Sequence, residues 1–194
     1  MFSDIEIIRK HQEKDLAIFT LADFSQLFAI ENKHTLYKKI QRLEKRKIIK
    51  KLIKGKYLCL FQKSNEFIIA NFLLTPSYVS LESALSFYSI ITGFPYQITS
   101  ITIKKTKTYF INQKEYQYSQ INQGLFWGYE KKENFLIADK EKSLLDYLYL
   151  SFKGLRTFDI EEFDLSQINK KKLKSYYKKI KNPIFLKFMK KIKL

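Results

Sequence analysis

The pattern of apolar and polar residues from 32 to 45 predicts an amphipathic helix. At about 100° of rotation per residue, Ile40 and Leu43 fall within about 40° of Leu36, so one face of this helix is apolar. The opposite face is basic and polar, and it carries His34, Lys38, Gln41 and Lys45. A helix of this kind packs its apolar face against a core and leaves the cationic face to solvent or to a partner.

The residues that follow this helix predict a β-hairpin. Residues 48–53 and 56–60 are rich in Ile, Leu and Tyr, and Lys54-Gly55 between them favours a tight turn. Before the helix, residues 2–13 predict a first helix with a cap at Ser3 or Asp4, and Thr20 opens a second one that reaches Phe28. Asn32 is expected to cap the third helix. This order predicts a winged helix-turn-helix over residues 1–62.

Residues 63–194 predict a second domain of mixed α and β structure. Residues 67–72 fit a strand or a short helix equally well, and Ser80 is expected to cap a helix from Leu81 to about Ile90. Strands are predicted at 97–104, 108–112, 115–122 and 125–130, with a further strand edge at 135–138. We expect an antiparallel sheet, because no helix long enough for a crossover lies between these strands.

The C-terminal third predicts helices. Asp139 is expected to cap a helix over residues 140–152, in which Leu144, Leu145, Leu148, Tyr149 and Phe152 form the apolar stripe, and Lys142 and Asp146 pair on the outside. Two lysine-rich helices follow on either side of Asn182-Pro183. The fold class is therefore α+β: a winged helix-turn-helix, then a domain with a mainly antiparallel sheet and flanking helices, then a basic helical tail over 161–194.

The charge distribution favours a polyanionic partner. The net charge of +17 is discounted at first, because the Lys-, Ile-, Phe-, Tyr- and Asn-rich composition is expected of AT-rich coding DNA. Residues 1–62 carry 14 basic and 7 acidic side chains, residues 63–160 carry 11 and 9, and residues 161–194 carry 11 and 3. Because a uniform coding bias would not segregate charge to both ends, the charge distribution is more than an effect of composition.

The sequence offers little for enzymatic chemistry. Neither histidine, His11 on a helix expected to be exposed or His34, has the neighbours of a metal site or a catalytic pair, and no glycine-rich phosphate loop is present. The lone Cys59 fits a small buried residue. The cluster of Glu161, Glu162 and Asp164 fits a solvated turn better than a cation site. We expect no enzyme activity and no cofactor.

The sequence also predicts a cytoplasmic protein. Its first residues are charged and contain no hydrophobic signal region. The longest apolar run, residues 67–74, is much shorter than the roughly 20 residues that span a bilayer. No membrane association is therefore expected.

Double-stranded DNA is the expected partner of the first domain. Lysine and arginine reach phosphates, and Gln41 or Arg42 can contact adenine or guanine edges. The predicted contact residues are His34, Tyr37, Lys38, Gln41, Arg42 and Lys45 on the helix and Lys51, Lys54 and Lys56 on the wing. The alternative is a solvated lysine face. For Trp127 and the strand tyrosines, a place in the sheet core is favoured over base stacking. A solvated face is likewise favoured for the basic terminal helices, over docking on a membrane or a partner.

Four segments in order resemble the AbiEi antitoxins, from type IV toxin-antitoxin pairs that act in abortive phage infection. They are Phe19-Thr20-Leu21-Ala22-Asp23-Phe24, Gly55-Lys56-Tyr57, Pro76-Ser77-Tyr78-Val79-Ser80-Leu81-Glu82-Ser83-Ala84-Leu85 and Asp139-Lys140-Glu141-Lys142-Ser143-Leu144-Leu145-Asp146. The likeness covers roughly residues 15 to 192. Lys47 and Ser143 depart from it, standing where many relatives have glycine and alanine.

The resemblance implies a winged helix-turn-helix that represses its own operon and a C-terminal domain that opposes a nucleotidyltransferase-like toxin, without requiring a stable complex with it. It also singles out Ser80, Glu82, Glu141, Lys142 and Asp146 as recurring family positions. Capping, the helix dipole and pairing at i,i+4 explain these five as structural residues, which is the interpretation we favour.

These observations lead to one hypothesis and two alternatives. The chain is expected to be a DNA-binding transcriptional autorepressor and antitoxin that binds its own promoter. The alternative is a protein-interaction module that binds its partner directly through the C-terminal domain, with DNA contact incidental. A more remote alternative is an RNA-binding protein.

Overall fold

The computed structural model describes residues 2–93 and 95–192 of the chain. Over these residues the protein is a mixed α+β structure with eight α-helices and two β-sheets. The chain divides into two compact units, Met1–Leu73 and Leu74–Leu194. The first unit thus extends beyond residue 62, where the sequence places the domain boundary, and includes one more helix.

The first unit contains four helices and three strands. In order they are α1 (Asp4–Glu13), β1 (Ile18–Thr20), α2 (Leu21–Phe28), α3 (Lys33–Lys45), β2 (Ile49–Ile53), β3 (Lys56–Cys59) and α4 (Glu66–Leu73). Ser3 and Thr20 begin α1 and α2 with capping boxes, and the Asn32 side chain accepts the backbone N–H of Thr35 at the start of α3. These caps satisfy helix donors that have no partner within the helix, which is why the three helix starts could be predicted.

The three strands form one antiparallel sheet in the order β1-β3-β2. The hairpin of β2 and β3 was predicted, with Gly55 in its turn at φ +79°. Strand β1 was not predicted, because three residues are too few to show an alternating pattern; it pairs with β3 through Ile18 opposite Leu58.

The core of the first unit is strongly aromatic. Its fully buried members include Ile7, Phe19, Phe24, Leu43 and Cys59. His11 is also fully buried, which corrects the expectation that it lies on an exposed helix. Its Nδ1 lies 3.0 Å from the carbonyl oxygen of Leu16, and its ring centroid lies 4.6 Å from that of Phe19. Burial lowers the pKa of His11, because the charged imidazolium would lose its hydration.

The second unit contains six strands and four helices. They are β4 (Ser77–Val79), α5 (Leu81–Phe87), β5 (Ile98–Thr102), β6 (Lys107–Ile111), β7 (Lys114–Gln120), β8 (Tyr129–Lys132), β9 (Phe135–Ala138), α6 (Lys140–Phe152), α7 (Lys170–Tyr177) and α8 (Pro183–Lys191). Short 3-10 turns lie at Gln123–Leu125, Ile160–Glu162 and Leu165–Gln167. The strand expected at 125–130 therefore begins only at Tyr129, after a 3-10 turn.

The sheet of the second unit is mixed, which corrects the expected antiparallel arrangement. Its order is β6-β7-β5-β4-β9-β8, and β5 pairs with β7, and β4 with β9, in parallel. The antiparallel pairs are β4 with β5, β6 with β7, and β8 with β9. The chain returns from β5 to β7 through the edge strand β6, so that a strand, rather than a helix, makes the crossover.

Helix α6 lies at the centre of the second unit. The Asp139 side chain accepts the backbone N–H of Lys142 and caps it, as predicted. Residues 141–148 are all buried. The ring of Phe185 in α8 lies 5.4 Å from that of Tyr149 and 5.3 Å from that of Phe152. Helix α6 therefore has neighbours on several sides, unlike a helix at the surface.

Candidate nucleic-acid interface

Helix α3 presents the candidate interface on its outward face. Its inner face buries Leu36, Ile40 and Leu43 in the core of the first unit. The opposite face exposes all six of the predicted helical contact residues: His34, Tyr37, Lys38, Gln41, Arg42 and Lys45. Within residues 2–93 and 95–192, Lys38, Arg42 and Lys45 form no ion pair, so their charges remain available to a ligand.

Two other basic residues, one in α3 and one directly after it, have structural partners. The Lys39 ammonium donates to the carbonyl oxygen of Phe2 at 2.9 Å, and Arg46 pairs with Asp4 at 2.5 Å. These two contacts tie α3 to the start of the chain. Lys39 and Arg46 therefore hold the helix in place, whereas Lys38, Arg42 and Lys45 face outward.

The hairpin adds two exposed cations beside α3. Lys51 and Lys54 are exposed, on β2 and in the turn. Lys51 lies opposite Tyr57 in the strand register, and Tyr57 is buried. Strand β2 buries Ile49 and Leu52 and leaves Lys50 and Lys51 between them in solvent.

Lys56 is placed differently from the other predicted wing residues. Its ammonium donates to the carbonyl oxygens of Phe72 at 2.5 Å and Leu73 at 3.2 Å, and it lies 5.0 Å from the centroid of the Phe72 ring. Both carbonyls belong to the last turn of α4. Because the C-terminal end of a helix carries partial negative charge, this lysine stabilises α4.

In the second unit, Lys142 and Asp146 form a buried ion pair. We expected them on the outside of α6, but their side chains are 1% and 4% exposed. Both residues lie within 141–148 of α6, a stretch in which every residue is buried. Burial raises the pKa of the Asp146 carboxyl, while the Lys142 ammonium and the hydroxyls of Ser80 and Tyr78 act in the opposite direction.

Ser80 and Tyr78 complete this buried cluster. Both hydroxyls donate to Oδ2 of Asp146 at 2.9 Å. Ser80 stands at the N-cap position of α5, yet its side chain makes no cap hydrogen bond, which corrects the predicted capping role. Burial and the nearby Asp146 raise the pKa of Tyr78 well above its ordinary value. The cluster joins β4 to α6.

The loop before β8 packs directly on Lys142. A Cβ added at Gly128 would lie 2.9 Å from Cγ of Lys142, so only glycine leaves room for this lysine stem. The ammonium lies 4.9 Å from the centroid of the Trp127 ring and 5.7 Å from that of Tyr78. Trp127, expected in the sheet core, is instead half-buried in this loop and donates from Nε1 to the carbonyl oxygen of Gly124.

Glu82 and Glu141 lie in two further ion-pair networks. Glu82 pairs with Arg156 at 2.6 Å, and the same guanidinium donates to Gln117 at 2.5 Å. Glu141 pairs with Lys172 at 2.8 Å. Burial alone would raise the pKa of Glu141, but Lys172 and the backbone N–H of Asn169 outweigh it and lower the pKa.

The structure thus gives all five recurring positions internal partners, but it does not gather them into one open site. Sequence reasoning missed Tyr78, Arg156 and Lys172, because each contacts its partner across a long separation in the chain. Only the i,i+4 spacing of Lys142 and Asp146 was visible in the sequence. Over the residues that the structure describes, no group of three or more His, Cys, Asp or Glu side chains is placed to hold a metal ion.

Comparison with known proteins adds no identification. No protein-family model matches the chain, and no curated protein matches it. In the described part of the chain, every helix is too short or too polar to cross a lipid bilayer.

Proposed function

We propose that this chain is a DNA-binding transcriptional repressor of its own promoter and the antitoxin of a type IV toxin-antitoxin pair. The observation that carries the DNA-binding half is the exposed cationic face of α3, which lies opposite a fully packed apolar face. The like charges on such a face repel one another mildly, and a polyanion that binds there neutralises them. Duplex DNA is the polyanion whose major groove admits a single α-helix.

The arrangement of the first unit supports a winged helix-turn-helix. In that class of domain, a helix corresponding to α3 enters the major groove and the hairpin lies against the backbone. Lys38, Arg42 and Lys45 would then bind phosphates or guanine, and Gln41 would contact adenine. Lys51 and Lys54 would place the hairpin on phosphates. Lys56 is left out of this proposal, because its ammonium is bonded to α4.

The antitoxin half rests on the resemblance of the sequence to the AbiEi antitoxins. The proposed opponent is a nucleotidyltransferase-like toxin. We assign no toxin contact to Ser80, Glu82, Glu141, Lys142 or Asp146, because the internal partners of these residues explain their presence. The second unit would then act through another part of its surface, or without a stable complex.

The proposal is tested by binding of the full chain to a duplex from its own promoter. Replacing Lys38, Gln41 and Arg42 by Ala should reduce affinity by at least about 100-fold, since it removes phosphate contacts and base contacts worth about 1–3 kcal/mol each. The matched control is Lys104→Ala with Lys105→Ala, which removes the same charge from exposed positions in the second unit. Equal affinity of the natural chain for promoter and unrelated duplexes would exclude specific repression.

The antitoxin half is tested separately by co-expression with the product of the adjacent gene. Restored growth with the full chain is the expected result. Rescue by the variant with Ala at 38, 41 and 42 would show that neutralisation is independent of DNA binding. A stable complex on co-purification would instead favour the interaction-module alternative.

A further inference from the structure

The last two helices of the second unit carry an uncompensated lysine surface. No acidic residue follows Asp164 in the sequence, while residues 170–191 contain ten lysines. Nine of them are exposed: Lys170, Lys171, Lys174, Lys178, Lys179, Lys181, Lys187, Lys190 and Lys191. We call these nine residues the lysine surface.

The orientation of this surface is fixed by packing. Leu173 of α7 and Phe185 and Met189 of α8 are buried, so both helices already use their apolar faces within the second unit. The tenth lysine, Lys172, pairs with Asp139 at 3.2 Å and with Glu141 at 2.8 Å. It therefore anchors α7 to the start of α6, and the neighbouring lysines are held outward.

The lysine surface has no counter-charge of its own. None of its nine members forms an ion pair with any residue in 2–93 or 95–192, and Lys179 has only the rings of Trp127 and Tyr176, at 4.7 and 5.2 Å. Lys170 and Lys174, like Lys187 and Lys191, stand four apart on a helix, where like charges are mildly destabilising. A polyanion would relieve this repulsion.

The chemistry of the surface favours nucleic acid over membrane. A helix that binds a bilayer lays an apolar face into it, but the large apolar side chains Phe185 and Met189 of α8 point inward. Ile184 is exposed, but it is the only exposed large apolar side chain in residues 170–191 and is too little for a membrane-binding face. Phosphate contacts require only positive charge within reach.

We propose that the lysine surface of α7 and α8 is a second nucleic-acid site, which binds the phosphate backbone of duplex DNA without regard to sequence. It is distinct from the proposed promoter contacts of α3, because it belongs to the other compact unit and lacks the Gln and Arg side chains that α3 offers to base edges. The second unit would therefore contribute affinity, and no sequence discrimination, to DNA binding.

The test compares two charge-matched variants of the full chain. The first replaces Lys170, Lys171, Lys174 and Lys178 by Gln, and the control replaces the exposed Lys104, Lys105, Lys107 and Lys131 by Gln. Affinity for an unrelated duplex is measured from 50 to 200 mM salt. Each lost phosphate contact lowers the slope of log affinity against log salt by about 0.9, so the first variant should lower it by about 2–4, and the control by less than 1.

Three outcomes decide the proposal. Equal slopes for the two variants would overturn it. Loss of binding to vesicles of phosphatidylglycerol and phosphatidylcholine, with DNA affinity retained, would overturn it in favour of a membrane surface. If the chain discriminates no promoter but the first variant alone lowers the slope, promoter repression fails while this inference stands. Thermal unfolding of both variants checks that the fold is kept.

Discussion

Helices α3 and α6 are both 13 residues long, and both carry lysines that the sequence places on an outer face. In α3 those lysines are exposed; in α6, Lys142 is among the most buried side chains of the protein. The difference lies in the surroundings: α3 has one packed face, whereas α6 is enclosed by α5, α7 and α8 and by the sheet.

This contrast shows that the role of a charged residue depends on whether its helix face is open or enclosed. An unpaired cation on an open face costs little and can recruit a ligand. A buried ion pair is tolerated only with close opposite charges and further hydrogen bonds. Asp146 supplies the counter-charge to Lys142, and the hydroxyls of Ser80 and Tyr78 donate to the Asp146 carboxylate. The basic residues of α3 therefore suit binding, and those of α6 suit the stability of the second unit.

Removing the buried ammonium should have the largest effect. Lys142→Met leaves the Asp146 carboxylate without its ammonium partner and should lower the free energy of unfolding of the second unit by about 3–5 kcal/mol. Denaturant titration followed by near-ultraviolet circular dichroism measures this loss. Adding Asp146→Leu to the same chain should recover part of it, because no buried charge then remains. A loss below about 1 kcal/mol would show that the ion pair is dispensable.

Filling the space beside Lys142 should have the next largest effect. Gly128→Ala places a methyl group against the lysine stem at φ +75° and should cost about 2–4 kcal/mol. Gly154→Ala is the matched control, because Gly154 has φ +72° but open space around its Cβ position. It should cost only about 1 kcal/mol, which is the backbone contribution. Equal costs in equilibrium unfolding would mean that Lys142 simply moves aside.

The smallest expected effects are on stability and on salt dependence, and they distinguish Lys54 from Lys56 in the hairpin. Lys56→Met removes the ammonium at the end of α4 and should cost about 1 kcal/mol of stability, with the salt dependence of DNA binding unchanged. Lys54→Met, in the exposed turn, should leave stability unchanged and lower the salt slope by about 0.9 if Lys54 contacts a phosphate. Denaturant unfolding and salt titration of both variants decide this pair of expectations, and reversed results would place Lys56 on the DNA.

The sequence predicted the local parts of the fold well. Asn32 and Asp139 could be recognised as helix caps, and Thr20 as a helix start, because each caps a backbone N–H only three positions along the chain. The hairpin around Gly55 was equally local. Residues 67–72, whose pattern fitted a strand or a helix equally well, form part of α4, which buries Ile69, Ala70 and Leu73.

Long-range pairing was not predictable in the same way. The parallel pairs of the second sheet depend on how β6 loops out to the edge, and no hydrophobic pattern encodes that path. The burial of Lys142 depends on Tyr78 in β4 and on Gly128 and Trp127 in the loop before β8, which are all distant from the start of α6 in sequence or separated from it by a strand. For the candidate interface, the helical positions were found from periodicity alone, while the role of Lys56 required knowing where α4 ends.

The bond between Lys56 and α4 also determines where the protein can be cut. A fragment that ends at residue 62 would lose α4 and leave the Lys56 ammonium without the carbonyls of Phe72 and Leu73. A fragment that ends at Leu73 keeps this contact and matches the limit of the first compact unit. Studies of the isolated first unit should therefore use residues 1–73, in which the end of α4 is bonded to the hairpin.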